Sequence, residues 1–387
     1  MDAFRNPYSP GAGTEPRALT GRDALLRDYE IALRRAFDGR PGKSLMPTGL
    51  RGVGKTVLLS RFCAIAEAHA FVVAQIEASE NRDFIRRLAA RLRGILYELD
   101  RGTVSAKVRR ALAVLKTFTL TIPGATSISI GVEPLAGSAD SGLLDEDLTA
   151  VLAAAGEAAQ DRRRGLLLAI DEVQYLDAEE LGALISAIHR TVQLRLPVLL
   201  VGAGLPQLPG LAGDAKSYAE RLFDFPEIGR LAADDAREAI ARPAQSEDVE
   251  LEPGALESLV ERSHGFPYFL QEWGYHVWNV ADGSPISVTD VDRAAARVQA
   301  QLDGSFFRVR IDRLTPAEKR YLVAMAELGG GPHRSGDIAM QLGAKVTSVA
   351  PLRSGLIRKG MIYSPAHGDT AFTVPMFDEY LRRVRPR

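Results

Sequence analysis

The chain contains a single cysteine, Cys63, among its 387 residues. One cysteine cannot form an intramolecular disulfide, nor can it supply the paired thiolates of a structural zinc site. The six histidines are scattered, without the paired spacing of metal ligands. No run approaches the ~18 consecutive apolar residues of a membrane helix, and the N-terminal stretch lacks the apolar core of a signal peptide. We therefore expect a soluble, cytoplasmic protein with no structural metal and no membrane contact.

A strong overall charge is absent as well, because the formal net charge is −1. The charge is unevenly distributed: residues 308–387 contain 14 Lys and Arg against 7 Asp and Glu, so this tail carries +7 and the rest of the chain −8. A basic tail predicts an anionic partner such as duplex DNA, and a solvated basic face is the alternative. The apolar content of 46% and the length suit a globular protein of two or three domains.

Short apolar runs alternate with helical patterns over the first 230 residues. The runs lie at 44–47, 71–76, 166–170 and 197–201, and this alternation predicts a parallel α/β sheet. Residues 117–132 instead alternate polar and apolar side chains around a central Pro-Gly. This segment predicts a β-hairpin inserted into the α/β core.

After residue 230 the patterns become helical. Four helical patterns up to residue 302 predict a small all-α domain, and three more from residue 315, followed by two short strands, predict a winged helix. We therefore divide the chain into an extended Pro- and Gly-rich arm at 1–18, an α/β core at 19–230, an all-α domain at 231–303 and a winged helix at 304–387.

The sequence GLRGVGKT at 49–56 has the spacing G-x-x-x-x-G-K-[ST] between an apolar run and a helical pattern. Its glycines permit backbone conformations that direct N–H groups at phosphate oxygens, and the following helix adds its positive N-terminal end. Lys55 would bridge the β- and γ-phosphates, and the Thr56 hydroxyl would ligate Mg²⁺. The predicted ligands are ATP with Mg²⁺, bound by Gly49, Leu50, Arg51, Gly52, Val53, Gly54, Lys55 and Thr56.

The sequence GLLLAIDEVQYL at 165–176 is an apolar strand that ends in two acids. Parallel sheets bind their ligands at the carboxyl ends of the strands. Asp171 is predicted to hold Mg²⁺ through its water shell, and Glu172 to accept a proton from, or orient, the water that attacks the γ-phosphate. Alone, such an acid pair is often found at a helix N-terminus. Together with the glycine-rich loop it predicts hydrolysis of ATP to ADP and phosphate.

These motifs resemble those of AAA+-type P-loop ATPases, in particular the origin-recognition and initiator-loader ATPases and the bacterial and archaeal "ATP-binding protein" set. The resemblance extends over nearly the whole chain and implies a P-loop NTPase core, an all-α lid and a C-terminal winged helix. It also rests on these further segments: ALTGRD at 18–23, LLVGAGLPQLPGL at 199–211, KSYAERLFDF at 216–225, GFPYFLQEWG at 265–274 and TVPMFDEYLRR at 373–383.

The resemblance implies roles for further residues. Leu19, Gly21 and Arg22 match the stretch that lines the adenine pocket, and Gln174 matches a residue that senses the γ-phosphate. Arg221 matches an arginine finger, which acts across a subunit interface in a homo-oligomer; a surface salt bridge is the alternative.

The sequence departs from the family at two positions. The fourth strand ends in Gly-Ala-Gly at 202–204, where many members carry a polar residue, and the lid segment at 265–271 lacks the family's arginine. These departures imply hydrolysis that is slow or dependent on a partner.

The third helix of the winged helix, at 346–360, is basic and could lie in a DNA groove. Its predicted phosphate contacts are Lys345, Arg353, Arg358 and Lys359. One predicted function is a Mg²⁺-dependent ATPase that couples its nucleotide state to DNA binding or assembly. The alternative is a slow-hydrolysing signalling or defence switch whose winged helix docks a protein.

Overall fold

The computed structural model of the protein describes residues 1–11, 13–101, 105–123 and 130–384. The chain divides into two compact units, which we call the sheet unit and the helical unit. The sheet unit comprises residues 24–48 and 58–227, and the helical unit comprises residues 1–23, 49–57 and 228–387. Within the described residues, no helix combines the length and the apolar character that crossing a membrane would require.

A five-stranded parallel sheet forms the centre of the sheet unit. Its strands are β1 (Ser44–Leu45), β2 (Phe71–Glu77), β3 (Gly165–Asp171), β4 (Val198–Gly202) and β5 (Phe223–Asp224). They are ordered β2-β3-β4-β1-β5, and all neighbouring strands are parallel. Every residue of β3 is buried, as expected for a central strand covered on both faces. The predicted parallel α/β sheet is confirmed.

Eight helices accompany this sheet in the described part of the chain. They are α1 (Asp23–Phe37), α2 (Lys55–Ala68), α3 (Phe84–Leu99), α4 (Ala106–Thr121), α5 (Leu144–Asp161), α6 (Ala178–Gln193), α7 (Leu208–Ala215) and α8 (Ala219–Leu222). The apolar faces of α3, α4, α5 and α6 share one buried cluster with the strands. A capping box at Asp177 and Glu180 fixes the start of α6.

The β-hairpin predicted over residues 117–132 is wrong in its first strand, because α4 continues through Thr121. The hydroxyls of Thr117 and Thr119 donate to carbonyls in the preceding turn, at 3.0 and 2.8 Å. These bonds satisfy the two buried hydroxyls inside the helix, so the alternating pattern does not require a strand. Residues 124–129, which hold much of the predicted second half, lie outside the described residues.

The helical unit contains two groups of helices and one small sheet. Its elements are α9 (Ala233–Gln245), α10 (Pro253–Ser263), α11 (Pro267–Val280), α12 (Val288–Gln301), a π-helical turn (Leu302–Phe307), α13 (Arg308–Ile311), α14 (Pro316–Glu327), β6 (His333–Arg334), α15 (Ser335–Gln341), α16 (Val346–Arg358), β7 (Ile362–Tyr363), β8 (Asp369–Phe372) and α17 (Phe377–Val384). The strands form an antiparallel sheet ordered β6-β8-β7. A single apolar cluster runs from Leu231 to Leu381 through the first group, α9 to α12, and through the C-terminal group, which comprises α13 to α17 and β6 to β8.

The N-terminal arm packs on helices of the helical unit. Tyr8 is buried, its hydroxyl donates to the carbonyl of Ile240 at 2.7 Å, and its ring meets that of Trp278 edge-on. The Trp278 indole N–H donates in turn to the carbonyl of Asp2 at 2.9 Å. The arm is therefore attached through an aromatic side chain that belongs to the apolar core.

We expect Tyr8→Ala to lower the free energy of unfolding by about 3 kcal/mol or more, because it leaves a cavity where a buried ring packs. Phe4→Ala is the matched control, since Phe4 is fully exposed and its loss should change stability by less than about 0.5 kcal/mol. Urea denaturation followed by tryptophan fluorescence measures both. Equal shifts for the two variants would contradict the proposed anchoring.

Candidate functional site

The loop at 49–56 owes its shape to three glycines. Gly52 and Gly54 have φ angles of +80° and +89°, in the region that favours glycine. A Cβ on Gly49 would lie 2.1 Å from the carbonyl oxygen of Ile228. A side chain at any of these positions would therefore distort the loop or displace its neighbour.

Lys55 begins α2 and is buried. Its ammonium group donates to the carbonyls of Gly49 and Leu50, at 2.9 and 2.8 Å. The cation thus bonds to the backbone of its own loop, next to the positive N-terminal end of the 14-residue helix α2. Phosphate oxygens are stronger partners for an ammonium group than neutral carbonyls are, so an anion in this loop would compete for Lys55.

Two other parts of the helical unit hold the loop. The backbone N–H of Tyr268, in the first turn of α11, donates to the Gly52 carbonyl at 3.1 Å. The backbone N–H of Arg51 donates to the carbonyl of Thr373 at 2.8 Å, and its side chain reaches the carbonyl of Gly360 at 3.4 Å. The C-terminal part of the chain therefore contacts the phosphate loop directly, which no sequence motif indicated.

The segment predicted to line an adenine pocket lies beside the same loop. The Arg22 guanidinium donates to the carbonyl of Gly229 at 2.7 Å, and Gly229 follows the Ile228 carbonyl that contacts Gly49. Gly21 has a φ of +68°, and a Cβ there would lie 2.7 Å from the carboxylate of Asp235. Burial lowers the pKa of Arg22, and the negative charge of Asp235 opposes that shift. Leu19 is half-buried at the start of this segment.

In the sheet unit, Asp171 ends β3 and is buried. Glu172 follows with φ +54° and ψ +40°, a left-handed conformation that is uncommon for a residue other than glycine. The turn is fixed because the Val173 N–H donates to the carbonyl of Ala203, just after β4, at 2.9 Å. The acid pair therefore lies at the carboxyl edge of the sheet, where Thr48 also forms a bridge to Gly204.

Gln174 connects the Glu172 carboxylate to the backbone after β4. The Leu205 N–H donates to the Gln174 side-chain oxygen at 3.0 Å, and the Gln174 amide nitrogen donates to the Glu172 carboxylate. A Cβ on Gly204 would lie 3.0 Å from that same Gln174 oxygen. A glycine at position 204 therefore leaves room for the Gln174 side chain. The predicted role of Gln174 at a γ-phosphate stays a prediction.

Arg221 lies on the four-residue helix α8 and is exposed. The helix directly precedes β5, which forms one edge of the five-stranded sheet. An arginine that acts on a neighbouring subunit must be exposed in the single chain. Its role as an arginine finger remains a prediction.

The four cations predicted to contact DNA differ in their surroundings. The Arg353 guanidinium donates to side-chain and backbone oxygens of the segment from β7 to β8, at 2.8–2.9 Å. The Lys359 ammonium pairs with the Glu318 carboxylate at 2.8 Å. Lys345 and Arg358 are exposed. Arg353 and Lys359 are half-buried, and both take part in contacts within the C-terminal group of helices and strands. The predicted DNA contacts of all four cations stay predictions.

A parallel sheet ordered β2-β3-β4-β1-β5, with the glycine-rich loop after β1 and an acid pair after β3, is the fold of a P-loop NTPase. Residues 18–201 match the AAA ATPase domain family, and residues 304–381 match a domain of unknown function, DUF8462. The chain thus resembles the AAA+ ATPases, as its motifs predicted. No curated protein sequence matches it significantly.

Solved structures can be aligned with nearly the whole chain. A Walker-type ATPase of Pyrococcus abyssi matches with a TM-score of 0.59 and 16% identity, over 95% of this chain and 97% of its own. RuvB, the Holliday junction branch migration motor of Thermotoga maritima, has a TM-score of 0.47 and 17% identity, over 97% and 99%. The Orc1 protein of Aeropyrum pernix, solved with DNA, has a TM-score of 0.46 and 18% identity, over 96% and 94%.

Tyr268, whose backbone N–H bonds to the loop, also bonds through its side chain to the buried carboxyl group of Glu272. The Tyr268 hydroxyl donates to the Glu272 carboxylate at 2.7 Å, and the side chain of His276 lies 3.5 Å from it. Burial raises the pKa of Glu272, while Tyr268 and His276 act in the opposite direction. A carboxyl whose pKa is raised by folding binds protons more tightly in the folded state. The protein therefore loses stability as the pH rises through that pKa.

We expect Glu272→Gln to be more stable than the wild type at pH 8, because it removes the cost of ionising a buried carboxyl. The difference should shrink as the pH falls toward the unfolded pKa of about 4.5. Urea denaturation between pH 4.5 and 8 measures it. Glu261→Gln, at an exposed position of α10, is the control and should show no such trend. A constant difference across this range would refute the assignment.

Proposed function

We propose that the protein is a Mg²⁺-dependent ATPase in which the loop at 49–56 binds the phosphates and Glu172 activates the attacking water. The observation that carries this proposal is the geometry of Glu172. Its backbone is held in a left-handed conformation at the end of β3, and its carboxylate is positioned by Gln174. Strained non-glycine conformations of this kind cluster at functional sites, where the surrounding structure enforces them.

The donor groups assigned to magnesium have suitable chemistry. The Thr56 hydroxyl and the Asp171 carboxylate are hard oxygen donors, which Mg²⁺ prefers. No group of three or more His, Cys, Asp or Glu side chains that could hold a metal occurs among the described residues. This agrees with a magnesium ion that completes its coordination with water and nucleotide phosphates. When bound, the ion would neutralise phosphate charge, while Lys55 would exchange its loop carbonyls for phosphate oxygens.

The C-terminal group would transmit the nucleotide state to a partner, for which we propose two candidates. A winged-helix arrangement, with α16 facing the partner, is supported by three helices and the sheet β6-β8-β7. Duplex DNA would use the exposed cations Lys345 and Arg358. A protein partner is favoured by the exposed apolar surface around α16, where Met340 is 77% and Val346 47% exposed.

We expect Glu172→Gln to reduce ATP turnover by about 100-fold or more, the usual range for loss of a general base, while ATP binding persists. Turnover is measured by phosphate release and binding by calorimetry. Glu179→Gln, an exposed carboxyl on α6, is the matched control and should behave like wild type. Undiminished turnover in Glu172→Gln would contradict the proposed base.

If Arg221 acts across subunits, Arg221→Ala should lower turnover and abolish ATP-dependent oligomers of Glu172→Gln.

If DNA is the partner, affinity for a duplex should fall steeply with salt. Removing Lys345 and Arg358 together should reduce the slope of log K against log salt by about 2, since each lost phosphate contact contributes about 0.9. Fluorescence anisotropy of a labelled duplex measures this. Arg308→Ala/Arg320→Ala removes two exposed charges elsewhere in residues 304–381 and is the control. Absent binding, or equal slopes for both double variants, would contradict DNA as the partner and leave the protein-docking function.

A further inference from the structure

The amino edge of the parallel sheet, where its strands begin, is strongly basic. Three segments lead into β1, β3 and β4, namely residues 34–43, 161–165 and 190–197. Together they contain nine Lys and Arg against two Asp and Glu, so these short segments carry a net charge of +7. Residues 308–387 carry the same net charge over a much longer stretch. Positive charge is therefore denser at this edge of the sheet than in the C-terminal tail.

Three exposed arginines lie at the beginning of three neighbouring strands. Arg163 precedes β3, Arg195 precedes β4 and Arg40 precedes β1. In the sheet, β4 lies between β3 and β1. Because adjacent strands are about 4.8 Å apart, the three arginines form a row across the amino edge.

Backbone contacts hold the starts of these strands together. The N–H of Leu166, in β3, donates to the carbonyl of Pro197, just before β4, at 2.8 Å. A Cβ on Gly39 would lie 3.4 Å from the carbonyl oxygen of Arg195. The turn that carries Arg40 therefore packs against the turn that carries Arg195, and the order of the row is fixed by the sheet.

Two of the arginines occupy positions that favour glycine. Arg163 and Arg195 have φ angles of +52° and +54°, shortly after the ends of α5 and α6. A left-handed residue at the end of a helix is most often glycine, because glycine has no Cβ to strain this conformation. A cation stabilises the helix end, but it could do so from within the last turn without that strain. The chain thus presents arginine at both positions, although glycine suits the backbone better.

The three arginine side chains of the row are available to an anionic partner. They are exposed, and among the residues that the structure describes none of the three forms an ion pair. Other cations of the same segments do, since Lys43 pairs with Asp224 at 2.9 Å and Arg34 pairs with Glu30. A guanidinium group forms paired, charge-assisted hydrogen bonds with phosphate oxygens. The row therefore suits a partner that carries several phosphate groups.

An exposed aromatic ring lies at the same edge. Phe37 ends α1 and is 41% exposed. Its ring centroid lies 6.1 Å from that of Phe71, at the start of β2. A Cβ on Gly165, at the start of β3, would lie 2.3 Å from the Phe71 ring. Phe37 is therefore close to the starts of β2 and β3, and the chain runs on from it directly into the turn that carries Arg40.

A single-stranded nucleic acid matches this combination of groups. Proteins bind such strands with cationic side chains along the phosphates and with aromatic rings on which the bases stack. The bases of a duplex stack on each other, so they leave no free face for an exposed ring. A membrane surface attracts lysine and arginine about equally, whereas this row consists of arginine alone. Arginine is the side chain that pairs with individual phosphates through its planar fork.

We propose that Phe37, Arg40, Arg163 and Arg195 form a binding surface for single-stranded nucleic acid. The arginines pair with successive phosphates, and a base stacks on Phe37. This surface and Asp171 lie at opposite ends of β3, and a strand of seven residues is roughly 20 Å long. A nucleic acid bound here leaves the carboxyl edge of the sheet open. The inference therefore does not depend on the proposed ATPase function.

Fluorescence anisotropy of the full chain with labelled oligothymidylate and oligouridylate tests the proposal. Binding of either one supports it, and the tighter of the two shows whether the partner is DNA or RNA. The triple variant Arg40→Ala/Arg163→Gly/Arg195→Gly should bind at least about tenfold more weakly. Its slope of log K against log salt should fall by about 2, since each phosphate contact to a single strand contributes about 0.7. Glycine tolerates the φ angles at 163 and 195, so the melting temperature should not fall.

Replacing the aromatic ring tests the stacking contact separately. Phe37→Ala should weaken binding by about fivefold or more, as expected for a lost base–ring contact. Phe37→Trp should keep the affinity, and the oligonucleotide should quench the fluorescence of the new indole. The control Arg27→Ala/Arg86→Ala/Arg87→Ala removes three exposed arginines near the starts of α1 and α3. It should bind within about twofold of wild type, because salt screens charges more than about 10 Å away.

Equal losses in the two triple variants would overturn the proposal, since binding would then follow overall charge. Duplex binding as tight as single-strand binding, unchanged in Phe37→Ala, would also overturn it. If phosphatidylserine vesicles bind and the oligonucleotides do not, the surface belongs to a membrane instead. Loss of oligonucleotide binding in Lys345→Ala/Arg358→Ala, with none in the amino-edge variant, would place the site in the C-terminal group and refute the assignment.

Discussion

The other features of the site depend on the backbone conformation of the phosphate loop at 49–56. Gly52 and Gly54 adopt φ angles of +80° and +89°, and the Ile228 carbonyl occupies the space of a side chain at position 49. The loop's own Lys55 bonds to the carbonyls of Gly49 and Leu50, but its glycines contribute no side chains that could hold the rest of the loop. Its conformation therefore depends on neighbouring backbone groups, which here come from Tyr268 and Thr373. The loop, helix α11 and residues near the C-terminus are consequently joined by hydrogen bonds within the helical unit.

The acid pair after β3 is constrained in a different way. Glu172 occupies a left-handed conformation, and the amide of Gln174 connects its carboxylate to the backbone of Leu205. Gly204 leaves room for that amide. A polar side chain at this strand end would compete with Gln174 for the same space. Gly204, two residues after β4, thus leaves room for the side chain that binds the Glu172 carboxylate.

Residues in the C-terminal part of the chain make contacts with the phosphate loop. The Phe306 ring lies beside Gly52, and the Thr373 carbonyl accepts a bond from the Arg51 N–H. The tail carries a net charge of +7, yet several of its cations are used inside the molecule. Arg353 joins α16 to the segment from β7 to β8, for example. Net charge alone therefore overstates the surface available to nucleic acid.

Local sequence determined the features that depend on neighbouring residues. The glycine-rich loop, the acid-ended strand and helices such as α10 at 253–263 and α11 at 267–280 follow from short-range spacing, hydrophobic period and turn residues. The alternation of polar and apolar residues at 117–121 wrongly predicted a strand, because the threonine hydroxyls form their hydrogen bonds within a helix. Tertiary structure alone decided that Tyr268, Phe306 and Thr373 contact a loop more than 200 residues earlier in the chain. Such contacts arise from how the helices pack. Because hydrophobic packing is not specific to particular residue pairs, the local sequence does not show which distant residue a side chain will contact.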